Sequence, residues 1–324
     1  MNKIASILDR TMDCLLELPQ PVIFKTYVLD VLQSNNLVSS PAILNNLHSI
    51  IYVALFYHMW FLIAKYIIFP PFVKLKMQWD QEEEKNTSAK TRKHKLHKHQ
   101  SPKKRYNSLV IQCSIHFISL LQCVFVLYPS LSILLNPAKS SEIFYDSEAR
   151  VFGTTRDTEV VCIFAIGYFL WDSVISMFYS SIAFVLHGIV SAAVYFIGLK
   201  PYIQYYAPVF MMFELSNPFL NFRWFGIKLL PSNNKFIDYL LLFNNLLLMI
   251  IFFLARIVYG WFQIGMIVYD YYTVRNDPRF ILFDSVVIVG GNLILDVLNA
   301  IWLSTMVKVA IKLLKGEKKA DKKD

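Results

Sequence analysis

An all-α bundle of about seven transmembrane helices, with six as the alternative count, is the fold this sequence predicts. Three observations predict it. Of 324 residues, 56% are hydrophobic and only 17% are charged, against roughly 45–50% and about 25% in ordinary soluble domains. Apolar stretches of about 20 residues, enough to cross a hydrocarbon layer of about 30 Å, recur along the chain. The formal net charge of +9 is not spread over a surface. Residues 71–106 hold 11 Lys/Arg against 4 acids, residues 308–324 hold 7 Lys against 3, and the remainder is slightly acidic. This pattern argues against a soluble enzyme, a disordered chain or a nucleic-acid partner, and for basic cytosolic loops beside membrane spans.

The first 47 residues form an N-terminal segment. Asp9, Asp13 and Glu17 interrupt any apolar run, so no cleaved signal is expected. Ile4, Ile7, Leu8, Met12, Leu15 and Leu16 recur at helical spacing and predict an amphipathic helix. It lies at the interface or packs on the bundle.

Seven spans follow: 48–70, 107–135, 160–181, 182–199, 202–218, 236–262 and 281–307. The third and fourth meet around Ser180-Ser181, and the fourth and fifth at Lys200-Pro201, where proline favours a break. Placing 71–106, 219–235 and 308–324 in the cytosol gives that side 21 Lys/Arg against 9 on the other. The positive-inside rule then predicts a lumenal N-terminus and a cytosolic C-terminus. The bundle as a whole covers 48–315, followed by a basic tail, 316–324.

Residues 86–105 are polar, basic and without apolar period, which reads as a disordered loop. His94, His97 and His99 sit in a Lys-rich run that suits anionic lipid headgroups better than a metal. The loop either binds such headgroups or only sets topology. Asn86-Thr87-Ser88 matches a glycosylation pattern but faces the cytosol on this topology.

Cys113, Cys123 and Cys162 lie in spans and Cys14 near the N-terminus, with no ligand spacing. They read as small hydrophobes, and no disulfide framework, metal or cofactor is expected. Neither a phosphate loop nor a nucleophile elbow appears.

Ionisable residues inside spans are costly and carry the functional expectation. Asp172 and His187 fall at similar depth on a helical hairpin, and Glu214 lies toward the same, cytosolic, side. Asn217, Arg223, Arg256, Asp296 and Asn299 complete the predicted polar lining of a lipid-accessible cavity. Structural alternatives stand beside this reading. Asp172 could bond His187, Glu214 could pair with Arg223, and Arg256 could neutralise Asp296 or snorkel. Asn292 and Asn299 could serve as interhelical glue.

The runs GYFLWD (167–172), LHGIVS (186–191), FELSNPFLNFRWF (213–225), FFLARIVYG (252–260) and LNAIWLSTMVKVAIKLLKG (298–316) resemble the TLC family. That family groups ceramide synthases, translocating-chain-associating membrane proteins, CLN-type proteins and small TLC-domain proteins. The Glu-Leu-Ser-Asn-Pro-Phe-Leu-Asn-Phe-Arg-Trp run is similar to the small TLC-domain branch. The resemblance implies an endoplasmic-reticulum or related endomembrane protein, with membrane lipids as partners and lipid binding, sensing or homeostasis as its role. It also implies an alternative, acyl-CoA-dependent N-acylation, with His187 as base and Asp172 or Glu214 orienting it. Ceramide synthases carry paired histidines, whereas here His187 is followed by Gly188. A transporter or trafficking receptor is the further alternative.

Overall fold

The computed structural model describes residues 2–35, 38, 40–86, 101–231 and 234–314. Its regular elements are helical, with no strand among the described residues. In chain order they are α1 (Asn2–Leu16), α2 (residues 22–34), α3 (residues 41–86), α4 (Pro102–Leu134), α5 (Ser147–Phe152) and α6 (Arg156–Tyr179). Then come α7 (Ile182–Gly198), α8 (Tyr206–Met211), a 3-10 turn (Met212–Ser216), α9 (Asn217–Leu229), α10 (Lys235–Val274) and α11 (Leu282–Leu314). Helices α3, α4, α6, α10 and α11 are long and apolar enough to span a membrane. Helix α7 is apolar but has 17 residues.

The expected span 202–218 is not one helix. Its backbone is α-helical only from Tyr206 to Met211, turns 3-10 through Ser216 and re-enters α geometry at Asn217. Pro218 supplies a reason. It has no N–H for the carbonyl four residues earlier, and it disfavours α geometry at Asn217. The expected loop 71–106 also differs. Helix α3 runs on to residue 86 and α4 starts at Pro102, with Asp80 accepting from both Lys76 (2.9 Å) and Arg105 (2.5 Å). His94, His97 and His99 lie outside the described residues, as does the tail 316–324.

The chain divides into two compact units. The larger contains the described residues up to 55, then 124–216, and from 249 on. Its core gathers Ile197, Tyr202, Phe210, Phe213, Ile267 and Ile288. Helices α6 and α7 pack as a hairpin, and α7 and α10 each pack on α11. In α1, Leu8 and Met12 point inward while Ile4 and Ile7 stay exposed, and Asp9 accepts from Tyr128 of α4 at 2.9 Å. The predicted helix is therefore docked along one stripe and bare along another.

Three connections of this unit meet at one end. Ile203 N donates to Val151 O (2.5 Å), Lys200 pairs with Asp284 (2.8 Å) and Arg279 with Glu148 (2.5 Å). Segments 136–155, 199–205 and 275–281 thus share a side, as the alternating topology requires. Ile203 holds a φ of 59°, unusual for a β-branched residue, and its buried side chain anchors the turn. The hydrogen-bonded Arg279 holds the Asp277 carboxyl down at about 2.

The sequence expected α10 to end near 262. It continues to Val274 because Asp270 is neutralised internally. Its carboxylate accepts from Ser147 Oγ (2.8 Å), Arg150 Nε (2.7 Å) and Nη2 (2.6 Å), and Tyr206 Oη (2.7 Å). Asp270 has no exposed surface.

The smaller unit, 56–123 and 217–248, is built around Ala64, Phe69, Val73, Val110 and Cys113, with Trp224 and Phe225 packed on them. Cys113, Cys123 and Cys162 are buried free thiols and Cys14 is exposed.

Removing the Asp270 carboxylate strands Arg150, Ser147 and Tyr206 together. Breaking a buried ion pair costs about 3–5 kcal/mol, so Asp270→Ala should lower the thermal midpoint in detergent by several degrees, and Asp270→Asn by less. A midpoint unchanged in Asp270→Ala would refute this role for the carboxylate.

Candidate functional site

The site lies in the larger unit and begins with the break at 212–216. Backbone polar groups freed inside a bilayer need partners from the protein. The partner here is Arg256, carried by a π-helical stretch of α10, Phe253–Val258. Its Nε donates to Phe213 O (3.1 Å) and Ser216 Oγ (2.9 Å), and its Nη1 to Asn299 Oδ1 of α11 (3.1 Å). The Arg256 Nη2 lies 3.9 Å from Glu214 Oε1, and the guanidinium sits over the Phe252 ring at 5.1 Å. Arg256 and Glu214 are 4% and 5% exposed. One cation thus joins the 3-10 turn to two long helices.

Gly260, one turn after Arg256, makes this approach possible. A Cβ there would come within 2.9 Å of the Phe213 ring and 3.1 Å of Asp296 Oδ1. Asp296 also receives a long contact from Asn299 Nδ2 (3.5 Å). Its Oδ2 is buried without a hydrogen-bond partner among the described residues.

Beside this cluster lies a cleft with about 640 Å³ of empty space, its open mouth included. Its walls come from α6, α7, α8, the 3-10 turn, α10 and α11, and are mostly apolar, with Phe169, Val194, Phe210, Met211 and Leu295 among them. Polar groups lie at His187, Ser191, Tyr195, Tyr206, Glu214, Arg256 and Asn292.

His187 is held between aromatic edges. Its ring centroid is 5.7 Å from Phe169 and 5.6 Å from Trp302, both edge-on. Its Nδ1 is buried without a hydrogen-bond partner among the described residues. The next residue explains why no second histidine follows. A Cβ at Gly188 would lie 2.6 Å from Ser173 Oγ and 3.3 Å from Ser173 Cα on α6. The two helices meet too closely for a ring there.

The predicted residues separate accordingly. Glu214, His187 and Arg256 line one cleft, and Asp296 and Asn299 adjoin Arg256. The Gly188–Ser173 contact puts Asp172 and His187 at one level, as expected, but no hydrogen bond joins them. Asp172 is partly exposed. The expected pairing of Arg256 with Asp296 is replaced by a bridge through Asn299. Glu214 lies 3.9 Å from Arg256, the cation that the sequence had set against Asp296. Asn217 and Arg223 belong to the smaller unit, on α9.

Sequence reasoning missed Ser191, Ser216 and Gly260, which carry no charge. It also missed a second polar contact, in the smaller unit. Asn221 Nδ2 donates to Ser119 Oγ (3.0 Å) and Asn217 O (2.9 Å). Its Oδ1 therefore accepts from His116 Nδ1 at 2.6 Å. The His116 ring stacks on Trp224 at 4.1 Å. A search for His and Asn inside charge-free spans would have found the pair.

Residues 112–308 match the family described as TLC domain. The chain is 58% identical to an uncharacterized TLC domain-containing protein of Saccharomyces cerevisiae, over 96% of this chain and 98% of that one. It is 28% identical to topoisomerase I damage affected protein 4 of the same yeast, over 64% and 72% of the two chains. It is 30% identical to human TLC domain-containing protein 4, over 46% and 57%. No solved structure matches.

The Arg256–Glu214 contact makes a double-substitution prediction. Arg256→Met leaves Glu214 buried without its cation and should cost about 3–5 kcal/mol. Adding Glu214→Gln should recover part of the loss in detergent melting. Arg256→Lys keeps the charge but cannot reproduce the fork, and should fall between wild type and Arg256→Met. A double variant no more stable than Arg256→Met would show that the two side chains are not coupled.

Proposed function

The chain belongs to the TLC domain family, a family of multi-pass membrane proteins, and on that premise we propose that it binds a membrane lipid in the cleft beside Glu214 and Arg256. Through that binding it senses or adjusts lipid composition. The carrying observation is the cleft itself: long apolar walls with a small group of buried polar residues. An amphiphile presents the same two surfaces. The proposed compartment is the endoplasmic reticulum or a related endomembrane, supported by the resemblance to endomembrane relatives. The proposed orientation, with a cytosolic basic loop drawn to anionic headgroups, is supported by the Lys/Arg bias.

Binding is favoured over N-acyl transfer by a specific arrangement. Acyl transfer needs a base held by an orienting partner and within reach of the amine. His187 Nδ1 receives no bond from Asp172 or Glu214, and Gly188 is packed too tightly to be replaced by a second histidine.

Native mass spectrometry of the purified full-length protein tests the reading. Lipid should be retained by wild type and lost from Ser191→Phe, whose ring would fill the cleft, with melting curves controlling for the fold. A wild-type protein that is consistently empty sinks the proposal. Robust, His187-dependent N-acylation of a long-chain base by acyl-CoA would transfer the site to catalysis. For orientation, a tag inserted at Lys95 should be digested by protease added to intact microsomes; a protected tag would reverse the topology.

A further inference from the structure

We infer that the lipid in this cleft has an uncharged head bearing at least one hydroxyl, an inference that rests on the lipid-binding reading above. The argument is one of charge and hydrogen-bond matching. Among the described residues lining the cleft, the charged side chains are Glu214 and Arg256, one of each sign and 3.9 Å apart. They offset each other, and Arg256 is further committed to Phe213 O, Ser216 Oγ and Asn299 Oδ1.

A phosphate or carboxylate head needs a cation beyond that pair, and an ammonium head needs a further carboxylate. Asp172 and Asp296 are nearby, yet neither is among the lining residues. A charged head would enter a low-dielectric cleft without a dedicated counter-ion, which is costly. The remaining polar groups on the wall are the His187 imidazole, the hydroxyls of Ser191, Tyr195 and Tyr206, and the Asn292 amide.

His187 supplies the second observation. A buried ring nitrogen without a partner carries a desolvation cost of about 1–3 kcal/mol. A hydroxyl both donates and accepts, so it can satisfy Nδ1 in either tautomer. The edges of Phe169 and Trp302 hold the ring in place from two sides. Hydroxyls of this kind occur on glycerol, sterol and sphingoid backbones alike, and the shared chemistry is what the cleft selects.

A ligand series with a common octadecenyl chain tests this in the full-length protein in detergent. The probes are monooleoylglycerol, methyl oleate without a hydroxyl, oleyl phosphate and oleylamine, competed by native mass spectrometry. Monooleoylglycerol should bind about tenfold or more tightly than each of the others. In His187→Phe its advantage over methyl oleate should vanish while chain binding persists. Oleyl phosphate or oleylamine binding as tightly as monooleoylglycerol overturns the inference, as does a hydroxyl preference that survives in His187→Phe. If the four probes bind equally and Ser191→Phe abolishes them all, lipid binding stands and headgroup selection falls. If none binds, both fall. The headgroup ranking in wild type decides the matter even if His187→Phe fails to fold.

Discussion

The larger unit depends on one guanidinium. A bilayer does not hydrate peptide groups, so a helix can be interrupted at membrane depth only where protein takes over the freed carbonyls and amides. Pro218 removes a donor from the run after Glu214, and the chain responds with five residues of 3-10 turn. Arg256 accepts the consequence. Its fork reaches the turn's backbone, a serine hydroxyl and an asparagine of α11 at once. Lysine has no such planar set of donors. The π-helical stretch that carries Arg256 and the missing Cβ of Gly260 are the local deformations that bring the fork within reach. Break, cation and glycine form one solution to one solvation problem.

Much of this was legible before any coordinates. Long apolar windows with at most two charges located the five long spans, and Ser180-Ser181 and Lys200-Pro201 marked real helix ends. Asp172, His187, Glu214 and Arg256 were picked out because ionisable residues in spans are costly. What was not legible was depth and partnership. Asn217-Pro218 looked like the close of a span, so Glu214 was assigned to a boundary and Arg256 to the opposite half. The 3.9 Å contact between Glu214 and Arg256 reverses that judgement. Asp270 was likewise placed in a connection, because a lone acid gives no hint that Arg150, far away in sequence, will neutralise it. The sequence pattern reports polarity; pairing requires three dimensions.

The contrast between His187 and Gly188 limits what the fold can do. Where relatives of ceramide-synthase type carry paired histidines, this chain needs a glycine so that α7 can touch Ser173 of α6. Helix association in lipid is driven by such close packing rather than by the hydrophobic effect. The position is therefore occupied by a packing requirement, and a ring there would separate the hairpin that forms one wall of the cleft.

Helix α7 has a further consequence, which concerns the bilayer. Seventeen residues rise about 26 Å, and the helix is bounded by Ser181 and by Lys200, whose ammonium pairs with Asp284. Longer helices can tilt to fit a thinner membrane, but a short one cannot stretch. A bilayer thicker than that rise would have to thin around α7, or let polar headgroups dip toward the wall of the cleft. Helix α7, the shortest of the long helices that wall the cleft, is the one whose fit depends on membrane thickness.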